Sequence, residues 1–265
     1  MDLELGGKRA LVTGGSRGIG KAVARTLLEE GVAVVIAARD AGRLEASATE
    51  LGSTGGRVVP VVVDTGSDDS VAAMVARATD AIGGVDILVN SAARPSGQAP
   101  PPRLADVTDQ VFFDDVNVKV MGYLRCCREV APQMAGRGWG RIVNIGGLGA
   151  RQTGALVTSM RNVAVAALTK NLADELGPQG INVVCVHPGA VRTEATPAVM
   201  EARAKQWDVS VAEAEARVGA GFSIRRMVGA EEVASVVAFL ASPRAAAITG
   251  DVIAAGGGIV GPIYY

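Results

Sequence analysis

Two hydrophobic patterns alternate along the chain. Short runs that are apolar on both faces occur at RALVTGG (9–15), VAVVIAAR (32–39), RVVPVVVD (57–64), VDILVNSAA (85–93), RIVNIGG (141–147), INVVCVHPG (181–189) and DVIAAGGG (251–258). Between them lie segments with apolar residues at helical spacing: 20–31, 41–52, 68–83, a long stretch from about Thr108 to Met134, 154–177 and 230–242. Strands apolar on both faces and separated by helices predict a parallel sheet covered on both sides. The expectation is one α/β domain over residues 1–265, doubly wound in the Rossmann manner, with about seven strands.

Two segments interrupt the alternation. SGQAPPPRLADVTD (96–109) is a Pro-rich loop leading into the long helix. Residues 194–226 form a mostly helical insertion directly after a strand's carboxyl end, the edge where open α/β sheets bind ligands. This insertion is predicted to be a lid, with Met200, Trp207 and Phe222 as candidate lining.

Composition narrows the class. With 265 residues, 49% of them hydrophobic, the chain can bury a sizeable core. Its formal net charge is −1 and its Lys and Arg are scattered, so neither nucleic acid nor an anionic membrane is an expected partner. The longest unbroken apolar run, 32–38, is far short of the roughly 20 residues of a spanning helix. The first residues, MDLELGGKRALVTGG, lack the apolar centre of a secretory leader. Cys126, Cys127 and Cys185 do not suggest a disulfide framework; they are expected to pack as small hydrophobes in a reduced, cytoplasmic setting. No metal site is expected.

TGGSRGIG (13–20) closes the first strand and opens the first helix, the context a dinucleotide fingerprint requires. Gly14 permits the tight turn, Gly18 lets backbone amides approach a pyrophosphate, and Gly20 allows close helix–strand packing. The helix amino terminus adds unpaired N–H groups and positive potential. Gly14, Ser16, Arg17, Gly18, Ile19 and Gly20 are therefore candidate cofactor residues. The second strand ends at Ala37-Ala38-Arg39, with no acid at Ala38 to hold a ribose 2′-hydroxyl. Arg39 and Arg17 supply two planar donors suited to a 2′-phosphate, so NADP(H) is expected in preference to NAD(H).

TGGSRGIG, VVD (62–64), NSAA (90–93), Asn117 in the long helix, RIVNI (141–145), LTKNLADELGPQGINVVCVHPG (168–189) and ITG (248–250) together resemble the short-chain dehydrogenase/reductase family, in order and spacing over essentially the whole chain. The resemblance implies a seven-stranded Rossmann-type sheet, a small-molecule substrate and a homotetramer or homodimer. It implies that Asp64 and Thr65 hold the adenine and that Asn90 stabilises the strand beside the cofactor. Pro188, Gly189, Val191 and Thr193 would line the nicotinamide.

The family reaction uses a tyrosine as general acid or base, a lysine four residues on that lowers its pKa and holds the ribose, a serine that polarises the carbonyl, and an asparagine of the long helix that binds a relay water. LTK (168–170) fixes the register, and counting back ten from Leu168 places Thr158 at the tyrosine position and Asn162 at the lysine position. Gly147 stands for the serine, in a stretch about two residues shorter than is common in the family. Asn117 alone of the four types is retained. Thr158 has no titratable group in the working range, and Asn162 has no charge. Loss of general acid catalysis costs roughly 10²–10⁴ in rate, and loss of a carbonyl-polarising donor about 10²–10³. The tyrosines offer little replacement. Tyr123 falls about 240° round a regular helix from Asn117, at ~100° per residue, and is expected to face away. Tyr264 and Tyr265 end the chain, where a tail in an oligomer could reach a neighbour's cleft. His187 is expected to be structural. Arg151, Gln152, Ser159, Arg161 and Glu194 border the cleft as candidate substrate contacts.

Three functions fit an intact cofactor loop beside an emptied tetrad. The first is an NADP(H)-dependent oxidoreductase acting on a carbonyl, alcohol or activated double bond with a rebuilt proton-transfer arrangement. The second is a non-redox lyase, cyclase or hydrolase in the same pocket. The third is a cofactor-binding regulator without turnover.

Overall fold

The structure, a computed structural model, describes residues 1–94, 101–261 and 263. Residues 96–100 of the Pro-rich segment, together with Tyr264 and Tyr265, lie outside the described residues. In chain order the elements are β1 (Arg9–Thr13), α1 (Gly18–Glu29), β2 (Ala33–Ala38), α2 (Ala41–Gly52), β3 (Val58–Val62), α3 (Asp68–Ile82) and β4 (Ile87–Asn90). There follow α4 (Asp109–Val116), α5 (Gly122–Gly136), β5 (Gly140–Ile145), α6 (Leu156–Leu176), β6 (Ile181–Pro188) and β7 (Val191–Arg192). The chain continues through α7 (Thr196–Trp207), α8 (Val211–Ala220), β8 (Val228–Gly229), α9 (Ala230–Ala241) and β9 (Val252–Ala255).

The seven apolar runs form one parallel sheet in the order β3-β2-β1-β4-β5-β6-β9. Alternation along each strand divides its residues between two cores. Val12 and Ile36 pack with Leu27, Leu44 and Val237 on the α1, α2 and α9 face. Leu11, Val35 and Leu88 pack with Met74, Val130 and Leu176 on the α3, α5 and α6 face. Each such aliphatic side chain contributes ~1.5–3 kcal/mol on burial, which is why strands apolar on both faces require helices on both. The strand order reverses between β1 and β4, and that switch point opens a crevice beyond the carboxyl ends.

The long helix is not continuous. α4, capped by the Thr108 hydroxyl on Val111 N–H, passes into a π-helical turn over Asn117–Met121 before α5 begins. A π turn disturbs the i→i−4 ladder, so its carbonyls need other donors. Arg125 Nη1 donates to Asn117 O (3.2 Å) and Thr65 O (3.1 Å), and Thr65 Oγ1 donates to Val118 O (3.1 Å). α6 is pinned to the sheet by a buried polar chain: Asn90 Nδ2 donates to Asn144 Oδ1 (2.9 Å), Asn144 Nδ2 to Thr169 Oγ1 (3.0 Å), and Thr169 Oγ1 to Val165 O (2.8 Å). The insertion after β6 is α7 and α8, with β7 and β8 pairing at its base.

Candidate active site

The glycine loop comes close to neighbouring backbone. Gly14 has φ 69°, and a Cβ there would sit 2.8 Å from the Ser91 carbonyl carbon. A Cβ on Gly20 would stand 2.4 Å from Gly14 O, so only glycine allows α1 to start this close to the loop. No side chain caps the α1 amino terminus. Instead Gly18 N–H donates to the Glu194 carboxylate (2.9 Å), which reaches over from the start of the insertion. The loop thus already holds an oxyanion where a helix amino terminus favours one. That geometry fits a dinucleotide pyrophosphate.

A cleft of about 1930 Å³ runs from this loop along the sheet's carboxyl edge. Ser16, Arg17, Gly18, Ile19 and Gly20 line it at one end, with Ala38 and Arg39. Arg43, from the first turn of α2, joins Arg17 and Arg39 there and was not anticipated from the sequence. Asp40, beside them, caps α2: its Oδ1 accepts from Arg43 N–H at 2.9 Å, and its Oδ2 lies 3.6 Å from the Arg43 guanidinium. Thr65, Pro188, Gly189, Val191 and Thr193 line the cleft further along, and Met200, Trp207 and Phe222 line it from the insertion side. Asp64 is not among the lining residues; its Oδ1 accepts from Gly66 N–H within its own turn (2.9 Å). Asn90 is fully buried beneath the cleft rather than in it, and its Oδ1 has no partner among the described residues.

At the other end, Gly147, Thr158 and Asn162 come together as the helical register requires. A Cβ on Gly147 would lie 3.0 Å from Asn162 Nδ2, and one on Gly149 would lie 3.3 Å from Thr158 Cγ2. Asn117 does not join them. Its Nδ2 donates to Gly66 O (3.3 Å), and it is absent from the cleft lining. The expectation that Asn117 faces this end of the cleft is therefore corrected: the residue two further on, which cannot share its helix face, lines it instead. Lys119 is buried, and its Nζ donates to Gly146 O and to Asn162 Oδ1, each at 2.9 Å. The expected direction of Tyr123 is corrected as well. Asn117, the reference for that count, faces Gly66, so Tyr123 on the other side of the helix lines the cleft four residues on from Lys119, with its hydroxyl donating to Ile145 O (3.0 Å).

Burial dominates the electrostatics here. It lowers the Lys119 ammonium to about 7, assisted by the charge of Arg161 and opposed by Asp115. It raises the Tyr123 phenol well above its ordinary value and the Cys185 thiol to about 12. His187, with neither ring nitrogen partnered among the described residues, is brought down to about 4 by burial and then by Arg151 and Lys119. Arg161 is buried against Asp115, and both line the cleft. Gln152 and Glu194 line it too, whereas Arg151 and Ser159 are not among the lining residues; Ser159 Oγ donates to Gln152 O (2.9 Å). No cluster of metal-ligating residues occurs among the described residues.

Residues 8–204 match the family described as short chain dehydrogenase. The chain is 35% identical over 259 residues to the 3-oxoacyl-(acyl-carrier-protein) reductase FabG of Pseudomonas aeruginosa, covering 97% of this chain and 99% of that protein. A single-residue variant of the actinorhodin polyketide ketoreductase, solved with NADPH, is 36% identical with a TM-score of 0.88, over 94% of this chain and 96% of that one. The L-sorbose reductase of Gluconobacter frateurii, solved with NADPH and L-sorbose, has a TM-score of 0.93 at 29% identity, over 99% of this chain and 100% of that one. An NAD+-bound xylitol dehydrogenase is also similar, with a TM-score of 0.87 at 25% identity over 96% and 100%.

Proposed function

The chain is a member of the short-chain dehydrogenase family, and from that premise we propose that it is an NADP(H)-dependent oxidoreductase. Its substrate is a small-molecule carbonyl, alcohol or activated double bond, and its proton-transfer arrangement is not the family's usual one. The observation that carries this is a single cleft joining the two ends: the arginine-flanked glycine loop lines it, and so do Thr158, Asn162 and Lys119. Arg17, Arg39 and Arg43 supply the planar cationic donors that suit a 2′-phosphate. The loop N–H groups and the α1 dipole would hold the pyrophosphate, and the nicotinamide, when bound, would supply the hydride chemistry. Two of the NADPH-bound relatives act on carbonyl compounds, which supports reduction as the physiological direction.

The insertion 194–226 acts as a lid over the substrate, with Met200, Trp207 and Phe222 as its apolar underside. Exposed Phe113, Leu156, Met160 and Val163, on α4 and α6, form an apolar patch that supports a homodimer or homotetramer. The buried free cysteines suit a reducing, cytoplasmic setting, and no helix among the described residues is long and apolar enough to cross a membrane.

The test is a fluorescence titration with NADPH and NADH, followed by a carbonyl panel monitored by loss of NADPH absorbance. NADPH is expected to bind at least tenfold more tightly than NADH and to be oxidised by members of the panel. Equal binding would overturn the cofactor assignment. Tight binding with no turnover would favour the regulator.

A further inference from the structure

We propose that Lys119 is the proton-transfer residue of this cleft, giving a proton from Nζ to the substrate oxygen during carbonyl reduction and taking it back in alcohol oxidation. The inference rests on the oxidoreductase function proposed above.

The geometry leaves few other candidates. Two of the three Nζ–H bonds are held by Gly146 O and Asn162 Oδ1, at 2.9 Å each. The third is uncommitted among the described residues, and Lys119 lines the cleft with Gly147, Thr158 and Asn162. These two acceptors fix the ammonium at the place where Thr158 and Gly147 fail to supply a titratable group. Tyr123 spends its proton on Ile145 O, and burial keeps the phenol neutral. Thr158 has only an aliphatic hydroxyl. His187 is buried, absent from the cleft lining and neutral near pH 7. The Cys185 thiol, raised by burial, holds its proton throughout the working range.

The charged groups that set the Lys119 field are Arg161 on α6 and Asp115 on α4, while the Cys185 thiol on β6 keeps its proton and is neutral. His187 on β6 and Tyr123 on α5 stay neutral near pH 7, and Arg151, before α6, acts on Cys185 and His187. Burial, with Arg161, brings the ammonium to about 7, where an acid–base group exchanges protons most effectively near neutral pH.

In the reducing direction a C–H bond forms at the carbonyl carbon with the hydride's electron pair, and the C=O π pair moves to oxygen. An O–H bond forms there as the Nζ–H bond breaks. The carbonyl becomes an alcohol, the dihydronicotinamide is oxidised by two electrons, and the neutral amine regains a proton from solvent.

The test compares wild type, K119M and K119R as full chains. NMR of 13C/15N-lysine-labelled apoprotein, with the resonance missing from K119M assigned to Lys119, is expected to titrate near pH 7. A midpoint at the ordinary lysine value of ~10.4 would overturn the proposal independently of turnover. In wild type, kcat/KM for reduction should fall above about pH 7, while oxidation should rise. K119M should lose roughly 10²–10⁴-fold in kcat/KM, together with the pH break, while NADPH affinity stays within about threefold, which also reports that the variant folds. K119R keeps the charge but cannot release a proton, and should be as impaired as K119M. Wild-type rate in K119R, or a rate within tenfold in K119M, overturns the proposal and leaves the oxidoreductase function standing. Wild type that binds NADPH but reduces no carbonyl overturns both.

Discussion

The two ends of the cleft are built from different materials. At the cofactor end the glycine loop is built from backbone: a left-handed Gly14, a Gly20 packed against Gly14 O, and a Gly18 N–H that donates to the Glu194 carboxylate. At the chemical end they are side chains, and these have changed element. The usual family arrangement puts asparagine on the long helix and lysine on the following one. Here Lys119 lies on the long helix and hydrogen-bonds Asn162 on α6. A backbone site is fixed by the fold that makes it. A side-chain site can keep its polar pair while the residue types trade places, provided both still reach the same volume.

Rebuilding the family pair would strain this comparison most. Asn162→Lys removes an acceptor of Lys119 Nζ. Below about pH 7, where both amines are charged, it also sets a second ammonium against the first in a buried site. Like charges about 4 Å apart cost ~4 kcal/mol at an effective dielectric of 20. T158Y/N162K should therefore lose stability on that order in urea denaturation below pH 7 and show no strong carbonyl reductase activity. Adding K119N should recover most of the loss. A double variant as stable as wild type would mean that Lys119 does not stand beside Asn162.

The second effect is a pH dependence of stability. The Lys119 pKa falls from 10.5 to about 7 on folding, so between those values the unfolded chain binds more protons than the native one. Stability from this group is lowest at and below pH 7 and rises with pH through the window. From pH 7 to 8.5 the rise is about 2 kcal/mol, at ~1.4 kcal/mol per unit. K119M lacks it, so the wild-type denaturation midpoint should rise relative to that of K119M over that range. Parallel curves would show that Lys119 keeps its ordinary pKa.

The sequence made the sheet, the glycine loop and the α6 register readable because each depends on local periodicity or on a glycine that nothing else can replace. Thr158 and Asn162 fell where counting from Leu168 put them because α6 is a regular helix anchored through Thr169. The long helix defeated the reading at its reference residue. Asn117 faces Gly66 instead of the cleft, beside a π turn whose stabilising donors, Arg125 and the Thr65 hydroxyl, come from the next helix and from the loop after β3. Asn117 and Lys119 both looked polar on an otherwise packed stretch, VNVKVMG, and only three dimensions separate them. A lone lysine between Val118 and Val120 was the available signal. Arg43 was missed for a milder reason: an exposed arginine on an amphipathic helix carries no mark of which ligand it borders.

Cofactor selectivity sharpens the other side of the comparison with a smaller effect. Arg39→Ala removes one planar donor from three, and a hydrogen bond to a charged group contributes ~1.5–3 kcal/mol. With Arg17 and Arg43 compensating in part, NADPH affinity should fall about tenfold while NADH affinity is unchanged, as read by fluorescence titration. An equal fall for both cofactors would place Arg39 on a part of the molecule that they share, away from the 2′-phosphate.

The smallest predicted effect concerns the hold of the insertion's first residue on the glycine loop. Glu194 is exposed, and its carboxylate accepts from Gly18 N–H at 2.9 Å, at the amino terminus of α1. A charge at a helix end contributes ~0.3–1 kcal/mol and is screened by salt. An arriving pyrophosphate must displace that carboxylate, so the apoprotein is stabilised at the expense of the complex. Glu194→Gln keeps the shape, weakens the competing contact and relieves repulsion of the phosphates. NADPH should bind about two- to fivefold more tightly to E194Q at low salt, and the gap should close as ionic strength rises. Weaker binding in E194Q would reverse the assignment, because Glu194 would then be securing the insertion over a bound cofactor instead of standing in the place of its phosphate.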